Sequence, residues 1–286
     1  MNDITGKTVL CCLLGSPVKH SLSPAMQNMA FSETGLDYCY LAFDVKKDGI
    51  KGAMDAMRLF SIRGANLTMP LKNAVLPYLD EISPVSKLSL SVNTIINDDG
   101  RLTGTTTDGK GFTGSLLHNG FDIKGKRALI LGAGGAASSV IAEMAHEGAE
   151  TISIFQRKSA TFEKAKALSE RVNEGTDCKS AVFDLSDEKL LSEKINESDI
   201  LINATNVGMG DDKSSLIKKD DIRKDLFCAD LIYSPEETTF LREAKEKGAR
   251  VMNGKLMLLF QGAESFFLWT GKKMPVDIIR ERLFKD

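Results

Sequence analysis

The chain has one tryptophan, four tyrosines, three histidines and seven prolines in 286 residues. It has no apolar run of membrane-spanning length, so no membrane partner is expected. Its five cysteines, at 11, 12, 39, 178 and 228, include no C-x-x-C pair, and three lie in apolar strand-like runs. Reduced core thiols are therefore expected rather than a disulfide framework. His20, His118 and His146 share no ligand spacing with each other or with cysteine, so no metal site is expected. A formal net charge of -2 without a basic cluster argues against nucleic acid as partner. The opening residues lack the basic and apolar regions of a signal peptide, so a cytoplasmic location is expected. The length favours two domains.

Against these absences stands one dense signal. Arg127-Ala128-Leu129-Ile130-Leu131 is an apolar strand that runs into Gly132-Ala133-Gly134-Gly135-Ala136-Ala137. Gly132 suits a tight turn, Gly134 a close backbone approach to a pyrophosphate, and Ala137 close helix–sheet packing. The phosphates would rest on the amino end of the following helix, where unpaired N–H groups and a partial positive charge favour an anion. The helical pattern continues through Ala145 and stops at Gly148, a C′ glycine, and a second strand, Thr151 to Phe155, follows at once. Strand, turn, helix and strand in this order predict a dinucleotide site.

The tip of that second strand indicates which dinucleotide. An NAD site places an acidic residue there for the ribose 2′-hydroxyl. This chain has Gln156-Arg157-Lys158-Ser159, two cations and a hydroxyl with no carboxylate, which favours the 2′-phosphate of NADP while leaving NAD possible.

Strand-like and helix-like segments alternate from the start, the pattern of parallel sheets with crossover helices. Strands are expected at Lys7–Leu14, Tyr38–Phe43 and Arg63–Thr68, with a helix from Pro24 capped by Ser23. Asn97-Asp98-Asp99-Gly100 predicts a hairpin between Val92–Ile96 and Arg101–Gly104. Three polar clusters stand out in this first unit: Ser21 with Ser23, Asn66 to Lys72, and Asn93 with Asp108. Each alone has a structural explanation as a cap, a turn or a solvated lysine.

Together these residues resemble the shikimate dehydrogenases, and among them the quinate/shikimate dehydrogenases. The resemblance is carried by His20-Ser21-Leu22-Ser23-Pro24, Asn66-Leu67-Thr68-Met69-Pro70-Leu71-Lys72, Val92-Asn93-Thr94-Ile95, Thr107-Asp108-Gly109, the glycine turn, Asn203-Ala204-Thr205, Gly208-Met209, and Gln261-Gly262-Ala263 with Trp269-Thr270-Gly271. It implies a two-domain α/β fold with a cleft between the domains. An amino-terminal α/β substrate domain (1–107 with 254–286) would accompany a Rossmann-type NAD(P)-binding domain (108–253). It also implies reversible hydride transfer between shikimate and 3-dehydroshikimate, and between quinate and 3-dehydroquinate, in aromatic amino acid biosynthesis, by a monomer or homodimer. By position, Ser21 and Ser23 would hold the substrate carboxylate. Thr68, Asn93, Tyr233 and Gln261 would also bind substrate. Gly132, Ala133, Gly134, Gly135, Ala136, Gln156, Arg157, Lys158, Thr205, Asn206, Leu231 and Gly254 would bind the cofactor.

Oxidising a secondary alcohol releases a hydride and a proton, so a titratable group must touch the hydroxyl. Lys72 is the expected proton acceptor and Asp108 the residue that orients it; two such groups in contact titrate as a pair. Two departures from the family pattern bear on this. Thr106 replaces an asparagine, and Leu256 replaces a glycine expected close to the nicotinamide. Leu256 supports an alternative, a paralogue acting on another polyhydroxy acid or serving as a nucleotide or metabolite sensor. A methylenetetrahydrofolate dehydrogenase shares the two-domain plan but leaves the serine pair and the downstream glutamine without a role.

Overall fold

The computed structural model describes residues 4–284. The chain divides into two compact units, Met1–Gly111 with Leu259–Asp286, and Phe112–Leu258. Both divisions fall inside helices, a few residues beyond the expected boundaries, because the chain passes from unit to unit along continuous helix rather than through loops.

The first unit contains β1 (Val9–Gly15), α1 (Ser23–Glu33), β2 (Tyr38–Asp44), α2 (Ile50–Leu59), β3 (Gly64–Leu67), β4 (Glu81–Ile82), α3 (Pro84–Ser89), β5 (Thr94–Asp98) and β6 (Arg101–Thr105). Helix α4 (Asp108–His118) begins here. The sheet order is β2-β1-β3-β5-β6-β4. β1 runs parallel to β2 and β3, whereas β5 is antiparallel to β3 and β6. The near-continuous apolar run of β1 is what a strand buried on both faces requires. The expected hairpin joins β5 to β6, with Asp99 and Gly100 at φ 51° and 92°, the left-handed pair that a two-residue turn demands. Asn97 holds the turn, accepting from the Gly100 N–H at 2.8 Å and donating to the Met57 and Ile62 carbonyls at 2.9 Å.

One local expectation is corrected. Helix α1 begins at Ser23, with Leu22 as the capping residue, so Ser23 is not the cap. The Ser21 hydroxyl instead accepts from the Ser23 N–H at 3.2 Å, satisfying one of the amides that a helix start leaves without a partner.

The last part of the chain completes this unit. On α9 (Lys255–Thr270) the buried residues Gln261, Gly262, Ser265, Phe266 and Trp269 recur at helical spacing, and α10 (Val276–Leu283) follows. The sole tryptophan, Trp269, donates to the Ile95 carbonyl at 3.0 Å. It packs so closely over Gly64 that a Cβ there would lie 2.0 Å from its Nε1. Gly262 takes Met26 in the same way, and the buried Gln27 side chain donates to the Gly262 carbonyl at 2.9 Å.

The second unit contains β7 (Arg127–Leu131), α5 (Gly135–His146), β8 (Thr151–Gln156), α6 (Ala160–Gly175), β9 (Lys179–Asp184), α7 (Glu188–Glu197), β10 (Ile200–Asn203), β11 (Phe227–Asp230), α8 (Thr239–Glu246) and β12 (Arg250–Met252). All six strands are parallel, in the order β12-β11-β10-β7-β8-β9. The order reverses between β7 and β10, the switch point where doubly wound sheets bind ligands. Alternate residues of β7 face two different cores, Ala128 and Ile130 one, Leu129 and Leu131 the other.

Cys11, Cys12, Cys178 and Cys228 are buried and Cys39 is half-buried; all are free thiols. Burial pushes Cys12 and Cys228 up to about 12 and Cys178 up to about 11, which keeps them protonated and unreactive. Among the described residues no helix is long and apolar enough to cross a membrane.

Candidate active site

The first unit brings three of the expected site residues into direct contact. Lys72 Nζ lies 2.6 Å from Asp108 Oδ2, and the Asn93 amide donates to Asp108 Oδ1 at 2.7 Å. Asp108 opens α4, where a carboxylate is favoured by the helix dipole. The Asn93 carboxamide cannot turn over. Its Oδ1 accepts from the Thr107 N–H at 2.7 Å, from the Thr94 hydroxyl at 2.9 Å and from the Thr107 hydroxyl at 3.2 Å, so its Nδ2 must face Asp108. The Lys72 side chain keeps 23% exposure and that of Asp108 11%. The pair thus sits at the edge of a buried network with its cation reachable from outside.

Behind the pair lies a set of residues that sequence reasoning missed or read as turns. Tyr40 donates to Asn66 Oδ1 at 2.8 Å, and Asn66 Nδ2 donates to Ser265 at 2.9 Å and Thr94 at 3.0 Å. The Thr94, Thr107 and Ser265 hydroxyls lie 3.0–3.2 Å from one another. Ser265 also donates to the Gln261 carbonyl at 3.0 Å, which ties the expected substrate residue Gln261 to the network. A polar residue four positions after Gln261 on the apolar stripe of α9 was the one legible sign of Ser265.

Thr68 follows β3, its N–H donating to the Leu14 carbonyl at 3.0 Å. Its methyl fills the space beside Gly15, where a Cβ would lie 2.3 Å away. Ser21 and Ser23 lie at the start of α1, Ser21 half-buried and Ser23 buried, and neither shares a described hydrogen bond with Lys72, Asn93 or Asp108.

The nucleotide-type residues belong to the second unit. Gly132 turns at φ 92°, and a Cβ there would lie 3.0 Å from the Thr205 methyl and 3.1 Å from the Ala204 carbonyl. Gly134, Gly135 and Ala136 are exposed, and nothing stands within 4 Å of a Cβ built at either glycine. Gly134 caps α5 with no side-chain hydrogen bond. An open, uncapped helix start fits a pyrophosphate. Gln156, expected to bind the cofactor, braces this turn: its Oε1 accepts from the Ala133 N–H at 3.0 Å and its amide donates to Thr161 at 2.8 Å. Arg157 is exposed, whereas Lys158 pairs with Asp184 at 3.1 Å.

Asn203 fixes the loop after β10. Its Oδ1 accepts from the Thr205 N–H at 3.1 Å and the Thr205 hydroxyl at 2.8 Å, and its amide donates to Asp230 at 3.1 Å. Asp230 is fully buried and also accepts from Thr238 at 2.7 Å and the Ile232 N–H at 3.0 Å; burial raises its carboxyl above the ordinary range. Gly254 must be glycine, since a Cβ would lie 2.2 Å from the Leu231 carbonyl. Tyr233 is 53% exposed and Asn206 exposed. Leu256 lines a depression of about 340 Å³ with Asn119, Leu241 and Met252.

A doubly wound nucleotide unit joined to a second α/β unit that presents a lysine–carboxylate pair defines the class of two-domain, dinucleotide-dependent oxidoreductases. Three family models match in order along the chain: "Shikimate dehydrogenase substrate binding domain" over 13–95, "Shikimate / quinate 5-dehydrogenase" over 115–231, and "Shikimate 5'-dehydrogenase C-terminal domain" over 256–284. A curated relative, shikimate dehydrogenase (NADP(+)) of Listeria monocytogenes serotype 4b, is 44% identical over 98% of this chain and 97% of its own. Among solved structures, shikimate 5-dehydrogenase from Listeria monocytogenes in complex with shikimate and NAD superposes with a TM-score of 0.97 at 44% identity, covering 99% of each chain. The Thermus thermophilus enzyme in complex with NADP(H) and shikimate superposes with a TM-score of 0.81 at 37% identity, covering 96% of this chain and 97% of its own. The chain belongs to the shikimate dehydrogenase family.

Proposed function

We propose that the chain is a shikimate dehydrogenase, using NADP by preference and NAD as a second cofactor, that interconverts shikimate and 3-dehydroshikimate and also accepts quinate. It serves aromatic amino acid biosynthesis in the cytoplasm, as a monomer or homodimer. The observation that carries the reading is the 2.6 Å contact between Lys72 and Asp108, held in a fixed orientation by Asn93.

Oxidation of the substrate hydroxyl sends a hydride to the nicotinamide, which is the chemistry the cofactor supplies when bound. The chain's own residues handle the proton. Lys72 Nζ, in its neutral amine form, takes it from the hydroxyl oxygen and becomes the ammonium, which Asp108 Oδ2 then holds in place. Asn93 prevents the carboxylate from rotating away. Ser21 and Ser23 bind the substrate carboxylate with hydroxyl donors, which adds no permanent positive charge beside a nicotinamide that becomes cationic when oxidised. Thr68, Asn93, Tyr233 and Gln261 hold the remainder of the substrate. Gly132 to Ala136 receive the pyrophosphate, Arg157 the 2′-phosphate, and Thr205, Asn206, Leu231 and Gly254 line the rest of the cofactor site. Gln156 acts indirectly, by holding the glycine turn, and Lys158 stands beside Arg157 with its charge shared with Asp184.

The test is an initial-rate assay with shikimate and quinate, each paired with NADP and NAD. Turnover of shikimate with NADP, lost in Lys72→Ala, supports the reading. Absence of turnover in all four pairs with cofactor still bound overturns it.

A further inference from the structure

Among the described residues, Arg157 and Lys158 follow directly on the strand whose tip reads the ribose, yet they are not equivalent. Asp184 closes the neighbouring strand β9 and lies in register with Gln156 at the end of β8. Its carboxylate is anchored: Oδ1 accepts from the Ser186 N–H at 3.0 Å, and the side chain is only 22% exposed. Lys158 is the more exposed partner, at 72%, and its Nζ comes to 3.1 Å from Asp184 Oδ2. The Arg157 side chain is exposed and makes no ion pair among the described residues.

We propose that Asp184 is a specificity-determining residue for the cofactor. It neutralises Lys158, leaves Arg157 as the cation that meets a 2′-phosphate, and so holds the preference for NADP over NAD to a level at which both are used. The inference rests on the reading of the second unit as the nucleotide-binding unit. A phosphate dianion gains from each unpaired cation that reaches it, and a carboxylate fixed beside one of them subtracts from that gain. The 2′-hydroxyl of NAD carries no charge and is nearly indifferent to the exchange. Asp184 thus acts on the ratio of the two affinities rather than on their sum.

The experiment is calorimetric titration of purified protein with NADP and with NAD, which needs no turnover. It is run on the wild type, Arg157→Ala, Lys158→Ala, Asp184→Asn and the Asp184→Asn/Lys158→Ala double variant. Asp184→Asn keeps a carbonyl oxygen for the Ser186 amide, and circular dichroism checks its fold. The NADP-over-NAD affinity ratio is expected to fall about tenfold or more in Arg157→Ala and less than about twofold in Lys158→Ala. In Asp184→Asn it is expected to rise about 3- to 10-fold, a gain that disappears in the double variant and shrinks with added salt. An unchanged ratio in a folded Asp184→Asn, or a loss in Lys158→Ala as large as in Arg157→Ala, overturns the inference while leaving the nucleotide unit intact. Failure of the wild type to bind either dinucleotide overturns the reading of that unit and the inference with it.

Discussion

The two units contain the same side-chain arrangement put to different ends. In each, an asparagine at a strand end or next to one donates its amide to a buried aspartate and turns its carbonyl oxygen to a nearby threonine N–H and hydroxyl. In the first unit these are Asn93, Asp108 and Thr107; in the second, Asn203, Asp230 and Thr205. The fourth partner differs. Asp108 spends its second oxygen on the Lys72 ammonium, which reaches solvent, whereas Asp230 spends it on the Thr238 hydroxyl and is fully enclosed. One hub presents a charge; the other fastens the loops at the switch point.

This contrast is broken most sharply at Lys72. Lys72→Ala is expected to lower kcat for shikimate oxidation by about 100- to 10,000-fold, the usual worth of a proton-transferring group, with KM little changed. Steady-state kinetics checks it; a rise in KM alone would mean that the lysine only binds.

Exchanging the aspartates sharpens the comparison. Asp230→Ala leaves the Asn203 amide, the Thr238 hydroxyl and the Ile232 N–H without their acceptor, and is expected to cost about 2 to 4 kcal/mol of stability. Asp108→Ala is expected to lose activity with less than about half that destabilisation, because only the Asn93 amide then lacks its buried acceptor while Lys72 turns to water. Urea melts of both variants decide it, and equal losses of stability would erase the distinction between the hubs.

The smallest effect concerns the loop beyond Asn203. The Asp212 carboxylate accepts from the Ser214 hydroxyl and from the Gly208 and Ser214 N–H groups, which pull it down to about 2. A depressed carboxyl stabilises above its unfolded value near 3.9 and loses that contribution as pH falls through its folded value. The 208–214 loop is therefore expected to loosen between about pH 4 and pH 2. Hydrogen exchange of the Gly208 and Ser214 amides across that range reads it directly, and unchanged protection would show that Asp212 does not hold the loop.

Much of this was legible in the residues because it is local. The β7 run, the glycine turn, the Gly148 stop and the Asp99-Gly100 hairpin each follow from neighbours in sequence, and each is present. The hubs were not legible, because their members meet only after folding: Asn66 and Ser265 are 199 positions apart. Gln156 shows a second limit. Position marks it for the cofactor but does not reveal that its amide, which both accepts and donates, also bridges the Ala133 N–H and the Thr161 hydroxyl. Ser23 shows a third, since a serine before proline reads as a cap while the structure gives the amide-satisfying role to Ser21.

The contribution of Ser265 and Trp269 to the first unit sets the order in which the protein can be finished. During synthesis Met1–Gly111 leaves the ribosome first, yet its hub lacks Ser265 and its sheet lacks the tryptophan that packs on Gly64 until the last helices emerge. The contiguous segment Phe112–Leu258 is made in between, a delay of about 7 to 30 s at 5–20 residues per second. The nucleotide-type unit can close while the older unit waits, so the half of the molecule translated first is the half completed last.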